Sequence, residues 1–376
     1  MPIINAISNG SLRSFGVLIN RQRPVNLSVP SSVEVLVIAG GGGGAGPGNG
    51  GGGGAGGYSS SPAMSISPAI QYTLKVGAGG GNGTNSGIYA TISGTAAIGW
   101  ARGGGRGGSG SQPGYGQWGG PYPPANPDGY GSGGGAGNRP LYGVPPAGPG
   151  DYTFGGYASS QGRNGGRGGL TPTNTGPIGV NGEPQFGGGG GGGGGAVGAG
   201  EEGGDTITPY VYGGSWPFAN NAPRNICYQS AWGGNGGNGI SSTITGSTLY
   251  YCGGGGGGGD GGVDNGYVHA VGGLGGGGGG ATSGPITSRR QYANPSGVLT
   301  PNHPGGGDAY TGGGGGSGGA GGGSGVIIIR YPISLARANA QYITGSPIYS
   351  EDASYRYYTF QGSGTIGFTP GTSVDP

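Results

Sequence analysis

The sequence predicts a mostly irregular, all-β protein with almost no α-helix: a bundle, or sandwich, of polyglycine II helices pinned by a small β-sheet, with short strand modules at both termini. Three observations predict it. An apolar segment of strand character passes without a polar break into nearly pure glycine over residues 33–57, VEVLVIAGGGGGAGPGNGGGGGAGG. Its mirror image closes the glycine-rich body at residues 321–331, GGGSGVIIIRY. Between these brackets lie most of the 113 glycines of a 376-residue chain that also holds 29 prolines.

So much glycine and proline without a period ordinarily marks disorder. Against disorder stand a charged fraction of 7%, a formal net charge of +2, and 23 Tyr, 6 Phe and 4 Trp, because disordered chains are usually charged and poor in aromatics. Collagen needs glycine at every third place, whereas residues 187–195 are all glycine. Hydrophobic residues are 31% and cluster at the brackets and in aromatic loops, so a conventional core cannot hold most of the chain.

The backbone must therefore hold itself. Glycine chains adopt the polyproline II conformation, a threefold helix rising about 3.1 Å per residue with its amides pointing outward. Free of side chains, such helices pack side by side and satisfy one another's N–H and C=O groups. Ordering a glycine costs on the order of 1–2 kcal/mol, and a net hydrogen bond returns about 1 kcal/mol. That near balance demands a large cooperative array, weak Cα–H···O contacts, and ends pinned by strands.

Residues 1–32 are read as an N-terminal attachment module. Phe15, Val17 and Ile19, then Val25, Leu27 and Val29, alternate with smaller or polar neighbours, the pattern of short half-buried strands. Arg13, Arg21 and Arg23 read as a solvated face, not as a nucleic-acid patch. Residues 33–331 form the glycine-rich domain, with runs recurring loosely from 40–57 through 103–110, 187–200 and 253–262 to 305–325. A nine-residue run in this conformation spans about 28 Å. Residues 66–76 (ISPAIQYTLKV) and 87–100 (GIYATISGTAAIGW) alternate like strands and are expected to extend the sheet that starts at Val33. Residues 332–376 are read as a C-terminal module, in which YRYYTFQGSGTIGF (355–368) is a strand, a Gly-Ser-Gly turn and a second strand, a hairpin.

Enzymatic constellations fail one after another. His269 and His303 are the only histidines, too few for a metal cluster and without a triad partner. Glu201 and Glu202 are adjacent in a glycine segment and read as a solvated turn. The single lysine, Lys75, precedes its glycines, whereas a phosphate-cradling loop needs Lys-Ser/Thr after them. The stretch GGDGGVD (258–264) occurs once, and calcium-binding β-rolls need stacked copies. No catalytic residue, metal or cofactor is expected. Cys227 and Cys252 supply no disulfide framework. No secretory leader is visible at MPIINAISNG, and no apolar run reaches the roughly 18 residues of a membrane span. Arg102, Arg106, Arg163 and Arg167 punctuate glycine runs; they either bond carbonyls at rod ends or face solvent.

The aromatic loops are the informative feature. Tyr and Trp among Ser, Gly and Asn is the composition of binding loops, since large amphipathic rings give contact area at small entropy cost, and stiff scaffolds carry function on their loops. The candidate receptor-binding residues are Tyr115, Trp118, Tyr122, Tyr130, Tyr142, Tyr152, Tyr210, Tyr212, Trp216, Phe218 and Tyr228. Tyr58, Trp100, Tyr250 and Tyr251 abut glycine runs directly and are expected to cap the array.

The phrases SVEVLVIAGGGGGAG, GGGGAGGY, YTLKVGAGGGNG and GGGSGVIIIRY resemble the glycine-rich domain of tailed-phage tail fibre and tail-tip proteins, over about residues 31–331. YRYYTFQGSGTIGF is similar to segments that accompany it. In a related group, the adhesins at the tips of long tail fibres of T-even-like phages, glycine rods form a sandwich and distal loops bind the host. The resemblance implies a virion receptor-binding protein, assembled in the host cytoplasm. Its expected partners are a bacterial surface glycan or outer-membrane protein and, through residues 1–32, other tail or fibre proteins. Fibre tips are often trimeric, so a homotrimer is one expectation and a bundle closed within one chain another. Residues 1–32 depart from the attachment domain of those adhesins, and the strand-like C-terminal tail is an addition. Two other classes compete: a structural fibre subunit whose loops meet virion neighbours, and an ice-binding bundle, which needs a regular flat Thr/Ala/Ser face that these loops do not supply.

Overall fold

A computed structural model describes residues 27–46, 50–68, 70–81, 86–90, 97–108, 131–136, 139–140, 161–166, 170–171, 193, 195–201, 233–259, 270–280, 291–293, 299–301 and 305–369. These residues are β-strand or irregular, with no α-helix and one 3-10 turn at Ala340–Tyr342. The strands in chain order are β1 (Ser32–Ile38), β2 (Tyr58–Ser65), β3 (Gln71–Lys75), β4 (Ser86–Ala90), β5 (Ala97–Ala101), β6 (Arg139–Pro140), β7 (Leu170–Thr171), β8 (Ile240–Ser242), β9 (Leu249–Tyr251), β10 (Gln291–Ala293), β11 (Leu299–Pro301), β12 (Val326–Pro332), β13 (Ile348–Glu351), β14 (Tyr355–Phe360) and β15 (Gly364–Gly367).

The two brackets pair with each other. β1 and β12 run antiparallel from Glu34 opposite Arg330 to Ile38 opposite Val326, at the centre of a five-stranded sheet ordered β13-β14-β12-β1-β2. β-Branched residues dominate both strands because each is buried on both faces. A second sheet, ordered β15-β3-β4-β5, lies against the first. Val35, Val37, Ile327, Ile329, Tyr358 and Phe360 meet Tyr72, Leu74 and Ile366 in one buried cluster, each large apolar side chain contributing about 1.5–3 kcal/mol. Tyr331 stacks on Tyr358 with ring centroids 6.1 Å apart and takes the edge of Phe368 at 5.6 Å.

This arrangement corrects two sequence expectations. The strands within 66–76 and 87–100 build the second sheet and do not extend the first, because Tyr72 and Leu74 must face the β1–β12 layer to be covered. The strands of YRYYTFQGSGTIGF do form, but they are not a hairpin. β14 inserts between β12 and β13, whereas β15 crosses to β3, so that Phe360 and Ile366 fill the core from opposite layers.

The other face of the first sheet, through Leu36, Ile38, Val326 and Ile328, packs on Ala55, Ala196, Ile244, Tyr251 and Cys252. There the β8–β9 hairpin joins sheet to glycine body. Cys252 is free and buried, at φ 63, and burial pushes its thiol pKa far up. Arg330 clamps Glu34 through Nε (2.9 Å) and Nη2 (2.5 Å) and reaches the Thr243 carbonyl with Nη1 (3.1 Å).

From Ile38 the chain enters the glycine body, whose hydrogen bonds advance in steps of three. Ala39, Gly42 and Ala45 donate to Gly57, Gly54 and Gly51; Gly41 and Gly44 donate to Gly323 and Ala320; Gly40 and Gly43 accept from Gly104 and Gly107. Successive residues of one segment therefore face different neighbours. Segment 50–57 bonds to segments 39–45, 102–108, 131–136, 253–258 and 312–318, and Gly193 closes the ring against Gly53. Apart from an isolated bridge between Gly42 and Gly80, these central segments form no ladder. Glycine is compulsory at the centre: a Cβ on Gly52 would fall 2.1 Å from the Gly255 carbonyl oxygen, and one on Gly314 2.0 Å from that of Gly53.

Side chains appear on the outer segments, where they continue the backbone bonding. Asn235 accepts from the Val271 amide at Oδ1 (2.7 Å) and donates to Glu201 from Nδ2 (2.8 Å). Asn238 accepts from the Leu274 amide (3.1 Å), and Arg163 donates to the Val197 carbonyl (3.3 Å).

Candidate functional site

The hydrogen-bond registers give the glycine body two ends. Ala39, Gly57 and Arg102 are joined at the end from which β1 arrives. Ala45, Gly51, Gly108 and Gly135 are joined at the opposite, distal end, about six residues or roughly 19 Å away at 3.1 Å per residue. For several connecting segments the described residues on either side show at which end the chain leaves and re-enters the array.

Tyr115, Trp118, Tyr122, Tyr130, Tyr142, Tyr152, Tyr210, Tyr212, Trp216, Phe218 and Tyr228 all lie outside the described residues, as do His269, His303, Cys227 and residues 1–26. Their anchors do not. Glu201 bonds to Asn235, and Gly257 to Gly234, so both flanks of segment 202–232 stand at the distal end. Gly258, bonded to Gly50, and Gly280, bonded to Ala270, put both flanks of 260–269 there. Segment 281–304 is flanked there too, by Gly280 and by Gly305, which accepts from Gly316.

The segments carrying Tyr115 to Tyr130 and Tyr142 to Tyr152 are anchored differently. Segments 102–108, 131–136 and 161–166 are parallel, since Gly105 and Gly108 donate to Ser132 and Gly135, and Gly133 and Ala136 donate to Arg163 and Gly166. Each connection leaves from the distal end and re-enters beside the sheets, where the Gln161 side chain accepts from the Arg102 amide (2.9 Å) and donates to the Trp100 carbonyl (3.0 Å). Neighbouring glycine runs do not reveal this from sequence, because a run reads the same in either direction.

Among the described aromatics, Tyr251 is buried in the cluster behind the first sheet, and Tyr58, partly buried, packs against the same cluster. Trp100 stays 38% exposed, with the Arg102 guanidinium 4.7 Å from its ring centre.

One cluster of charged side chains lies at the far edge of the first sheet. Arg356, buried, donates from Nη1 to Tyr349 Oη (2.8 Å) and Glu351 Oε2 (2.7 Å), and from Nε and Nη2 to the Leu335 and Ile333 carbonyls (3.1 Å each). The hydrogen bond from Tyr349, then Arg337 and Arg356, hold the Glu351 carboxyl below the usual range. A hydrogen bond from Tyr357 and the amides of Ser354 and Tyr355 do the same for Asp352. These groups neutralise one another and fasten β13 and the 333–337 segment to β14. Among the described residues no three His, Cys, Asp or Glu converge as a metal site, and no helix is long and apolar enough to cross a membrane. No family model, curated protein or solved structure matches the chain.

Proposed function

We propose that the chain is a receptor-binding protein of a phage tail fibre or tail tip. In this reading a bundle of polyglycine II helices presents Tyr/Trp-rich loops to a bacterial surface receptor, a glycan in the first instance. Two features support the scaffold: hydrogen bonds advance by three along the central segments 39–45, 253–258 and 314–318, the repeat of a threefold extended helix, and backbone atoms occupy every place where a Cβ would stand on Gly52, Gly53 and Gly314.

The observation that carries the functional half is the anchoring of segments 202–232, 260–269 and 281–304 at the end remote from the sheets. Aromatic faces there suit the apolar faces of sugar rings, and Asn and Arg suit their hydroxyls. The β-sandwich end is left for attachment to the virion. Purified protein should bind susceptible cells and block infection, and Trp216→Ala should abolish both at an unchanged melting temperature. A folded protein that neither binds nor blocks sinks the reading.

A structural fibre subunit is the second reading, favoured by β13. All four of its residues are exposed on an outer strand of the first sheet, an edge open to another chain.

A further inference from the structure

Segment 233–239 reads GGNGGNG, with two asparagines three residues apart. They repeat one arrangement. Asn235 Oδ1 accepts from the Val271 amide (2.7 Å) while the next residue, Gly236, donates to the Val271 carbonyl (2.8 Å). Asn238 Oδ1 accepts from the Leu274 amide (3.1 Å) while Gly239 donates to the Leu274 carbonyl (2.8 Å). The main-chain carbonyls of both asparagines are engaged by another segment: that of Asn235 accepts from Glu201 (2.9 Å), and that of Asn238 from Val197 (3.1 Å) and Gly198 (3.0 Å). Each carboxamide therefore supplies a second carbonyl where one segment serves two neighbours. A glycine in its place would leave the Val271 or Leu274 amide without that acceptor.

The two asparagines differ in what they join. Asn238 stands beside the start of β8, about three residues or roughly 9 Å nearer the sheets. Asn235 stands at the distal end, and its Nδ2 also donates to Glu201 Oε2 (2.8 Å), so Glu201 is held by its amide and its carboxylate together. Glu201 is the last described residue before segment 202–232, Gly233 is the first after it, and Ala270 and Val271 follow segment 260–269. The adjacent Gly234 accepts from Gly257 (2.8 Å), just ahead of 260–269. Residues 234 and 235 thus gather the entry and exit of both segments, and the Asn235 carboxamide ties the entry of the first to the exit of the second.

We propose that Asn235 is a positioning residue whose carboxamide clamps the bases of segments 202–232 and 260–269 into one unit. Backbone bonding alone defines those bases poorly, because a shift of three residues along a glycine segment re-forms equivalent bonds. The same shift parts Asn235 from Glu201. The consequence for binding rests on the receptor reading given above: where the two segments carry the contacts, a base ordered in advance spares the complex that ordering cost, and a loosened base weakens affinity without touching the receptor.

Amide exchange and cell binding, measured on variants of the full chain, test it. Asn235→Ala should speed exchange of the Val271 amide by about fivefold or more and weaken cell binding by a similar factor, with the melting temperature unchanged. Asn238→Ala should free the Leu274 amide to the same extent and leave cell binding unaltered, because no base is tied there. Asn235→Asp keeps the acceptor for Val271 but sets a carboxylate against Glu201, so exchange at residue 201 should rise and binding fall. Adding Glu201→Gln restores a donor, and the double variant should recover both. That reciprocal rescue decides the matter if Asn235→Ala lowers the melting temperature. Protein that binds no cells removes the receptor reading, and exchange alone then judges the clamp. Unchanged exchange at Val271 in Asn235→Ala, equal loss of binding in the two alanine variants, or a double variant no better than Asn235→Asp overturns the inference.

Discussion

Phe360 in the sandwich is buried by side chains of the facing sheet, whereas Gly53 in the array is surrounded by main chain from segments 39–45, 253–258 and 312–318. The first kind of interior tolerates a change of shape by moving rotamers. The second has no rotamers to move, and its hydrogen bonds and its packing are the same contacts. Stability in the array is therefore all-or-none over several segments, and in the sandwich it is divided among side chains.

The strongest way to break the comparison is to add atoms at the array's centre. Gly52→Val places a Cβ 2.1 Å from a carbonyl oxygen, beyond ordinary overpacking costs of about 1–3 kcal/mol. The variant should lose more than about 4 kcal/mol, read as loss of soluble folded protein or of the denaturation transition. Removing atoms from the sandwich should do less. Phe360→Ala should cost about 3–5 kcal/mol, with a lowered denaturation midpoint but a folded protein still recoverable.

Acid should separate the regions most gently. Glu351 and Asp352 have depressed folded pKa values, so what they contribute is present above their unfolded values of about 4.3 and 3.9 and is lost as pH falls through the folded ones. Below about pH 4 the amides of β13 and β14 should lose protection relative to the intrinsic exchange rate at that pH, while those of segments 39–46 and 50–57, which hold no titratable side chain, keep theirs. Equal loss of protection in both regions would show that the sheet edge and the array open together. Glu351→Gln should remove most of the acid effect.

Much of this fold is legible in residue order. VEVLVI and VIIIRYP can only be buried strands, and a run such as GGGGGSGG at 312–319 leaves nothing but backbone to bond with. The aromatic composition of residues 115–130 and 210–232 carries an expectation of binding loops, and those residues lie outside the described ones. Which strand lies beside which was not legible. The Gly-Ser-Gly turn after Phe360 looks like a hairpin locally, and only the need to cover Phe360 and Ile366 from opposite layers sends β15 across to β3.

The neighbours and directions of the glycine segments were decided by tertiary structure alone. Side chains label a strand's faces and so restrict its partners, but a glycine segment presents the same N–H and C=O groups to every side. Residue order therefore determined that the body would be held by its backbone. The hydrogen-bond registers, set only when all segments are assembled, decided that Glu201 and Gly233 stand at the distal end and that Gly131 and Gln161 lie beside the sheets while Gly108 and Ala136 lie distally.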